Sequence, residues 1–161
     1  MTRLVLVATT VVMALVTGLS FTFAATVMPN LAGVDDHTFV VITQRFNENL
    51  WFPLSFTAAL VLTILATVLQ AAVAPGPAVR WVVAALLLYG VVLAITGAVH
   101  IPLNEEISGA GHPDQIADLA GVRDTFEAPW VTWNTVRTLF GIAAVAALAR
   151  ALLLHGRQHR P

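Results

Sequence analysis

Cysteine and charge are what this sequence lacks. It has no cysteine, which excludes disulfides, thiolate metal sites and cysteine nucleophiles. Only 11% of its residues are charged, whereas soluble domains carry about 25%. It also has no phosphate-binding loop, no serine-centred nucleophile elbow and no basic patch for nucleic acid. The low charged fraction indicates an integral membrane protein and not a soluble domain.

Four long apolar runs dominate the chain, and 58% of all residues are hydrophobic. The runs cover residues 4–28, 50–73, 79–99 and 130–154, and each is long enough to cross a hydrocarbon core of about 30 Å. The first run is too long for a signal-peptide core and has no clean cleavage site after it, so it is interpreted as a retained helix. We predict a single all-α domain over residues 1–161, an integral membrane antiparallel four-helix bundle with short outer interfacial helices.

The charges are distributed unevenly. All nine acids lie in two segments, 29–49 and 100–129. Most basic residues lie instead at the termini and in the short connection between the second and third runs: Arg3, Arg80, Arg150, Arg157 and Arg160. The positive-inside rule then predicts a multi-pass protein of the cell membrane with both termini cytoplasmic and both acidic segments outside.

The outer segments carry helix signals of their own. Met28-Pro29-Asn30 is predicted to end the first helix and Pro102 the third, because proline cannot continue the hydrogen-bond ladder. Asp35-Asp36 is predicted to start a short amphipathic interfacial helix that runs to Leu50. Residues 114–126 have a weak apolar face and form a second short helix, while the basic tail from His155, which includes His159, is expected to fray.

A polar stripe opens the last apolar run. Its members fall at i, i+3, i+4, i+7 and i+11 of one helix face: Trp130, Trp133, Asn134, Arg137 and Gly141. A submerged arginine costs about 2.5–3.5 kcal/mol on insertion scales, so it usually faces the bundle interior and a partner. We predict that this stripe forms the functional site. In the alternative, Arg137 extends outward to headgroups beside two interfacial tryptophans.

The end of the third run supplies further candidates. In an antiparallel bundle, Asn104 and Glu105 approach the stripe, and Glu105 is the predicted charge partner of Arg137. His100 is the best candidate for a general base among the five histidines, because an imidazole has an ordinary pKa of about 6.5. The alternative is a histidine that only caps a helix end. Arg45 and Asn47 either line the same outer mouth or belong to a solvated face.

A transition-metal site is a weaker hypothesis. His37, His100, His112 and Glu105 are ligand types that suit several metals. However, no two histidines have i, i+4 spacing within a membrane helix. We therefore predict no metal ligands and no cofactor, and keep a metal-binding membrane protein as an alternative.

Four short motifs occur in order along nearly the whole chain. They are Met28-Pro29-Asn30-Leu31, Phe46-Asn47-Glu48-Asn49, Ile101-Pro102-Leu103-Asn104-Glu105, and Trp130 followed by Trp133-Asn134-Thr135-Val136-Arg137-Thr138. With these motifs the chain resembles the anthrone-oxygenase-like family of small four-helix membrane proteins, many of whose bacterial members are uncharacterised. One position departs from the family pattern, since His100 stands where an asparagine is expected.

The resemblance implies a cofactor-free oxygenase that converts lipophilic, anthrone-type polycyclic phenols into quinones. On that reading His100 removes a proton, and Arg137, Asn104 and Asn134 stabilise the resulting oxyanion. Trp130 and Trp133 stack on the flat substrate, near Glu105, Arg45 and Asn47. Two alternatives stay open: a non-catalytic membrane module that binds a quinone, a lipid, a partner subunit or a second copy, and a site whose polar residues only join the helices.

Overall fold

The computed structural model describes residues 2–158, without the side chain of Gln158. His159 and Arg160, predicted to belong to the basic tail, lie outside the described residues. The described chain is 89% helical and has no strands. Its five helices are α1 (Thr2–Leu31), α2 (Asp36–Asn47), α3 (Trp51–Val73), α4 (Ala78–Gly109) and α5 (Leu119–Gln158). The predicted all-α class is confirmed.

Four of these helices are long and apolar enough to cross a membrane: α1, α3, α4 and α5. They form a ring in which α1 and α4 each pack against both α3 and α5. Away from α2, the bundle core contains many alanines, with Leu6, Met13 and Leu148 between them. Small side chains let membrane helices approach closely, so this end of the bundle is tightly packed.

Two helices run through proline instead of ending there. In α1 a π-helical turn, Phe23–Val27, precedes Pro29, and in α4 a π-helical turn, Thr96–His100, precedes Pro102. Proline lacks an N–H and its ring crowds the carbonyl four residues back, and a wider turn relieves both problems. The predicted end at Met28-Pro29-Asn30 lies within one residue of the observed end at Leu31, whereas the predicted end at Pro102 is wrong, because α4 continues to Gly109.

The last helix is also longer than predicted. α5 is one 40-residue helix that contains Pro129. The predicted separate short helix over residues 114–126 is mostly its first turns, apart from a 3-10 turn at Pro113–Gln115. At the other end the helix continues past His155, which is buried, so the expected fraying from that residue is wrong.

Helix α2 forms a roof over one end of the bundle, where it packs against α5 and the last turns of α4. Asp35 caps it as predicted, since its carboxylate accepts hydrogen bonds from the Thr38 N–H at 3.0 Å and the Thr38 hydroxyl at 2.7 Å. Phe39 and Val40 on the predicted apolar side are fully buried. The roof therefore covers the helix ends that carry most of the predicted site residues.

Arg123 of α5 fastens the roof. It donates to the carboxylates of Glu127 at 2.6 Å and Asp36 at 2.9 Å. It also donates to three backbone carbonyls of the segment before α2, those of Leu31, Ala32 and Val34. Its guanidinium carbon lies 4.6 Å from the centroid of the Phe39 ring. These bonds fix the roof to α5.

Candidate functional site

A cavity of about 420 Å³ lies beneath the roof, with wall residues from all five helices. Pockets that hold small molecules have volumes of about 300–1,000 Å³, so the space suits a ligand of two to three fused rings. Six aromatic side chains form much of its wall: Phe23, Phe46, Phe52, Phe56, Phe126 and Trp130. No aspartate or glutamate is among the described residues that line it.

Trp130 is the centre of the aromatic wall. Its ring forms a T-shaped pair with the His100 ring at a centroid distance of 5.2 Å, and its centroid lies 5.6 Å from that of Phe23. Phe126, one helical turn earlier on α5, is stacked on it at 6.1 Å. Phe23 belongs to the π-helical turn of α1. The wall combines apolar aromatic rings with one imidazole, which suits a planar aromatic ligand.

Arg137 contributes a buried positive charge to this wall and is only 6% exposed. Its Nε donates to Asn134 Oδ1 at 3.0 Å, and its Nη1 donates to Thr96 Oγ1 at 3.3 Å. Its guanidinium carbon lies 5.6 Å from the ring centroids of Phe56 and Trp130. The alternative in which Arg137 extends outward to headgroups is therefore wrong.

Arg137 has no carboxylate partner among residues 2–158. The predicted pair with Glu105 is wrong: Glu105 is exposed, while its neighbour Asn104 lines the cavity. Adjacent residues of a helix point about 100° apart, and here Asn104 points to the cavity while Glu105 points outward. A buried guanidinium that has only neutral partners has capacity left for an anionic ligand.

Asn104 lines the cavity, and one end of its side-chain amide is hydrogen-bonded. Its Oδ1 accepts a hydrogen bond from Trp130 Nε1 at 3.1 Å. Because an indole N–H can only donate, this bond fixes the orientation of the amide. The Asn104 Nδ2 has no partner among the described residues and is free to donate to a ligand.

Asn134 has a different role from the one predicted. It is fully buried and does not line the cavity. Its Oδ1 accepts from Arg137, and its Nδ2 donates to the backbone oxygen of Ser20 on α1 at 3.1 Å. Both ends of the amide are occupied, so Asn134 holds Arg137 in place and joins α1 to α5.

His100 ends the π-helical turn of α4 and faces the cavity while 2% exposed. Neither ring nitrogen has a hydrogen-bond partner in the described part of the chain. The backbones of Ile95 and Trp130 lie near the ring without meeting hydrogen-bond geometry. Burying an imidazole with both nitrogens unpaired destabilises the protein. A ligand that hydrogen-bonds to one of these nitrogens would offset that cost.

The structure brings together five of the nine predicted site residues on the cavity wall: Asn47, His100, Asn104, Trp130 and Arg137. Asn134 stands directly behind them. Trp133 is 42% exposed on the outer face of α5, and Glu105 and Arg45 are also exposed away from the cavity. The predicted placement of these last three at the site is wrong.

Sequence reasoning missed the residues that complete the wall, above all Phe23, Phe56 and Thr96. Thr96 shares a helix face with His100 at i, i+4, a signal that was available. Phe23 had no such signal, because a π-helical turn changes which face of α1 it occupies.

The predicted alternative metal ligands are not gathered at one place. His37 Nε2 bonds to Asp114 Oδ1 at 2.7 Å on the exposed side of the roof, and His112 lies beside the same carboxylate. His100 and Glu105 lie elsewhere. Over residues 2–158 no group of three histidines or acids is arranged to hold a metal ion, so the metal-site hypothesis is not supported.

Together these features define a multi-pass membrane protein with a roofed aromatic cavity, whose wall includes His100, Asn104 and Arg137. The sequence profile of the family described as anthrone oxygenase matches residues 48–147, more than half of the 161-residue chain. The chain therefore belongs to the anthrone oxygenase family. The match includes the cavity residues of α3, α4 and α5 and leaves out α1 and α2. Neither a search of curated proteins nor one of solved structures gave a match.

Proposed function

We propose that this protein is a cofactor-independent oxygenase that converts anthrone-type polycyclic phenols into quinones within the membrane. Membership of the anthrone oxygenase family supports the reaction type. The observation that carries the proposal is the meeting of an unpaired buried imidazole, His100, with an arginine that lacks an anionic partner, Arg137, on one aromatic wall. A base and an anion-stabilising group are what the oxidation of an anthrone requires.

Binding comes first in the proposed reaction. A flat tricyclic ligand lies against Trp130 and the phenylalanine wall, which excludes water and strengthens the polar contacts. Its carbonyl oxygen points to Arg137 and to the free amide donors of Asn104. The methylene carbon on the opposite edge of the central ring then faces His100.

Proton removal follows. His100 takes a proton from the acidic methylene, and the electron pair moves onto the carbonyl oxygen to give an enolate. Arg137 and Asn104 stabilise that oxygen, because both donors stand ready before charge develops on it. Asn134 acts through Arg137 by fixing Nε.

Dioxygen then oxidises the electron-rich anion. One electron passes to dioxygen, and the two radicals combine into a carbon–oxygen bond at the former methylene, whose peroxide is protonated. Loss of the remaining hydrogen on that carbon, with cleavage of the oxygen–oxygen bond, releases water and leaves a second carbonyl. The balance is one anthrone and one dioxygen to one anthraquinone and one water.

The proposal extends to the orientation of the protein. Arginines at the termini and at residue 80 favour a cytoplasmic location for the tightly packed end of the bundle. The roof and the cavity then lie on the outer side of the cell membrane.

His100→Gln tests the proposal directly, since glutamine keeps polarity but cannot act as the base. We expect oxygen uptake with 1,8-dihydroxyanthrone in reconstituted vesicles to fall by about 10²–10⁴-fold, the usual contribution of a general base. His37→Gln, at a half-exposed side chain of the roof, is the matched control and should keep full activity. Equal rates for the wild type and His100→Gln would exclude His100 as the base. A folded wild type that binds anthraquinone without any oxygen uptake would instead indicate a non-catalytic binding module.

A further inference from the structure

The cavity wall is not closed on every side. Six of its lining residues are exposed: Phe46, Asn49, Pro53, Thr57, Gly97 and Ile101. The last four form two i, i+4 pairs, one on α3 and one on α4. We call the gap between these two pairs the side slot. Deeper in the bundle the same two helices are joined, since Tyr89 donates a hydrogen bond to the backbone oxygen of Phe56 at 2.9 Å.

The side slot opens at the level of the hydrocarbon core. At roughly 1.5 Å rise per residue, Gly97 lies about 26 Å along α4 from Arg80, within a core of about 30 Å. The exposed residues around it are apolar: Leu54 on α3, Val91 on α4, and Ile101, which is 48% exposed. The first exposed acid of α4 is Glu105, one turn beyond Ile101. The slot therefore faces lipid chains.

On the roof side, hydrogen bonds between different helices hold α2 in place. Gln44 of α2 donates to the backbone oxygens of Ile107 at 2.9 Å and Gly111 at 3.0 Å. Asn47 donates to the backbone oxygen of Asn104 and to the Ser108 hydroxyl. Arg123 fastens the segment before α2 on the other side. Opening the roof would break several of these bonds together.

Gly97 is the residue that keeps the side slot open. A Cβ placed there would meet no atom within 4 Å, so packing does not demand glycine. The absent side chain leaves free space between the cavity and the lipid. Gly90, two turns earlier on α4, is also exposed with no atom near its Cβ position, but it does not line the cavity.

We infer that uncharged planar aromatic molecules enter the cavity sideways from the bilayer, through the side slot between Pro53–Thr57 and Gly97–Ile101, while the roof stays closed. The inference rests on the proposed function for the class of ligand only. Gly97 and Thr57 then control the access of substrate, and the substrate comes from molecules dissolved in the membrane.

Trp130 serves as the reporter in the experiment. Trp51, Trp81 and Trp133 are changed to phenylalanine in the full chain, which leaves Trp130, shielded from lipid at 7% exposure, as the only tryptophan. The protein is reconstituted in phosphatidylcholine vesicles, and anthraquinone or the membrane-impermeant anthraquinone-2-sulfonate is added outside. Quenching of Trp130 then reports entry into the cavity, whether or not turnover occurs.

We expect anthraquinone to quench Trp130 and the sulfonate not to. Gly97→Leu should slow quenching at least tenfold, whereas the matched Gly90→Leu should not change it. Thr57→Phe narrows the slot from α3 and should slow quenching in the same way, which keeps the test informative if Gly97→Leu fails to fold. Gln44→Ala loosens the roof and should leave the rate unchanged.

Three results would overturn the side slot: quenching by the sulfonate, equal rates for the two leucine variants, or faster entry in Gln44→Ala. Each of these leaves the proposed oxygenase intact. If anthraquinone quenches Trp130 in no variant, the cavity takes no planar quinone and the proposed function fails with it. Slot-dependent quenching without oxygen uptake would support the side slot and reject only the oxygenase.

Discussion

Arg123 and Arg137 lie on the same helix, α5, yet they have opposite surroundings. Arg123 makes five hydrogen bonds, two of them to carboxylates, which matches the number of N–H donors that a guanidinium carries. Arg137 makes two, both to neutral oxygens, and has aromatic rings as its other neighbours. Arg123, whose N–H donors are all used, holds the roof in place. Arg137, which has unused donors, faces the cavity and can bind an anion.

The two arginines also differ in what their removal would leave behind. Without Arg123 the carboxylates of Asp36 and Glu127 lose their partner and the roof loses its attachment. Without Arg137 only an amide and a hydroxyl lose a donor. The comparison therefore separates stability from ligand chemistry, and four substitutions test it.

Of these four substitutions, Arg137→Gln should have the largest effect on turnover. Loss of one preorganised donor at a developing oxyanion typically lowers the rate by about 10²–10³-fold, and glutamine can still bond to Asn134. The measurement is oxygen uptake with 1,8-dihydroxyanthrone, beside the thermal unfolding midpoint. Glu105→Gln is the control and should behave as the wild type, because Glu105 is exposed. An equal loss of oxygen uptake in Arg137→Gln and Glu105→Gln would indicate that Glu105 is a partner of Arg137 after all.

Thr96→Asp should give Arg137 a carboxylate partner, as Arg123 has. A carboxylate at the position of Thr96 Oγ1 lies within reach of Nη1 and would neutralise the guanidinium. We expect oxygen uptake to fall by about 10–100-fold, or ~1.4–2.7 kcal/mol, with no loss of unfolding midpoint. Thr96→Asn, which has the same shape without the charge, should be affected much less. If both variants lose activity equally, the charge of Arg137 is not what matters.

Arg123→Gln should destabilise the fold while the folded protein stays active. Charge-assisted hydrogen bonds contribute about 1.5–3 kcal/mol each when fully buried, and partial exposure of Asp36 and Glu127 reduces this. We expect a loss of about 2 kcal/mol, seen as a lower unfolding midpoint. Arg45→Gln, exposed on the roof itself, should change stability by less than about 0.5 kcal/mol. Reduced oxygen uptake by Arg123→Gln at temperatures below its unfolding midpoint would contradict the assignment of Arg123 to stability alone.

The smallest effect concerns the cap of the roof helix. Two hydrogen bonds from Thr38 hold the pKa of Asp35 below its ordinary value of 3.8. A lowered pKa means that the contribution is complete above the unfolded-state value and is lost as the pH falls through the folded-state value. Hydrogen exchange of α2 amides should therefore rise below about pH 4 more in the wild type than in Asp35→Asn. Equal pH profiles would show that Asp35 does not titrate with the roof.

The bundle and part of the site follow from local patterns in the chain. Apolar length predicts four spans, and helical spacing together with the cost of burying charge predicts that Asn134 and Arg137 face the interior. Both are buried. His100 and Asn104 were predicted from their place at the end of the third span, and both line the cavity.

Long-range contacts decided the rest. A π-helical turn adds a residue, so later side chains rotate by about 100° relative to a regular helix. This turn occurs in α4 just before Asn104 and Glu105, which differ in whether they face the cavity. Trp133 fits the same stripe as Trp130 by spacing, yet only Trp130 meets the aromatic residues of α1 and the roof end of the bundle.

By itself, the sequence determined a four-span helical bundle with its acids at one end and an arginine submerged near that end, because span length and the burial of charge depend on composition and short-range spacing. Only the tertiary structure decided that Asn134 is fully bonded, that Glu105 faces outward, and that α2 packs over one end of the bundle. The physical reason is that each of these outcomes depends on hydrogen bonds and packing between residues of different helices, which no local pattern encodes.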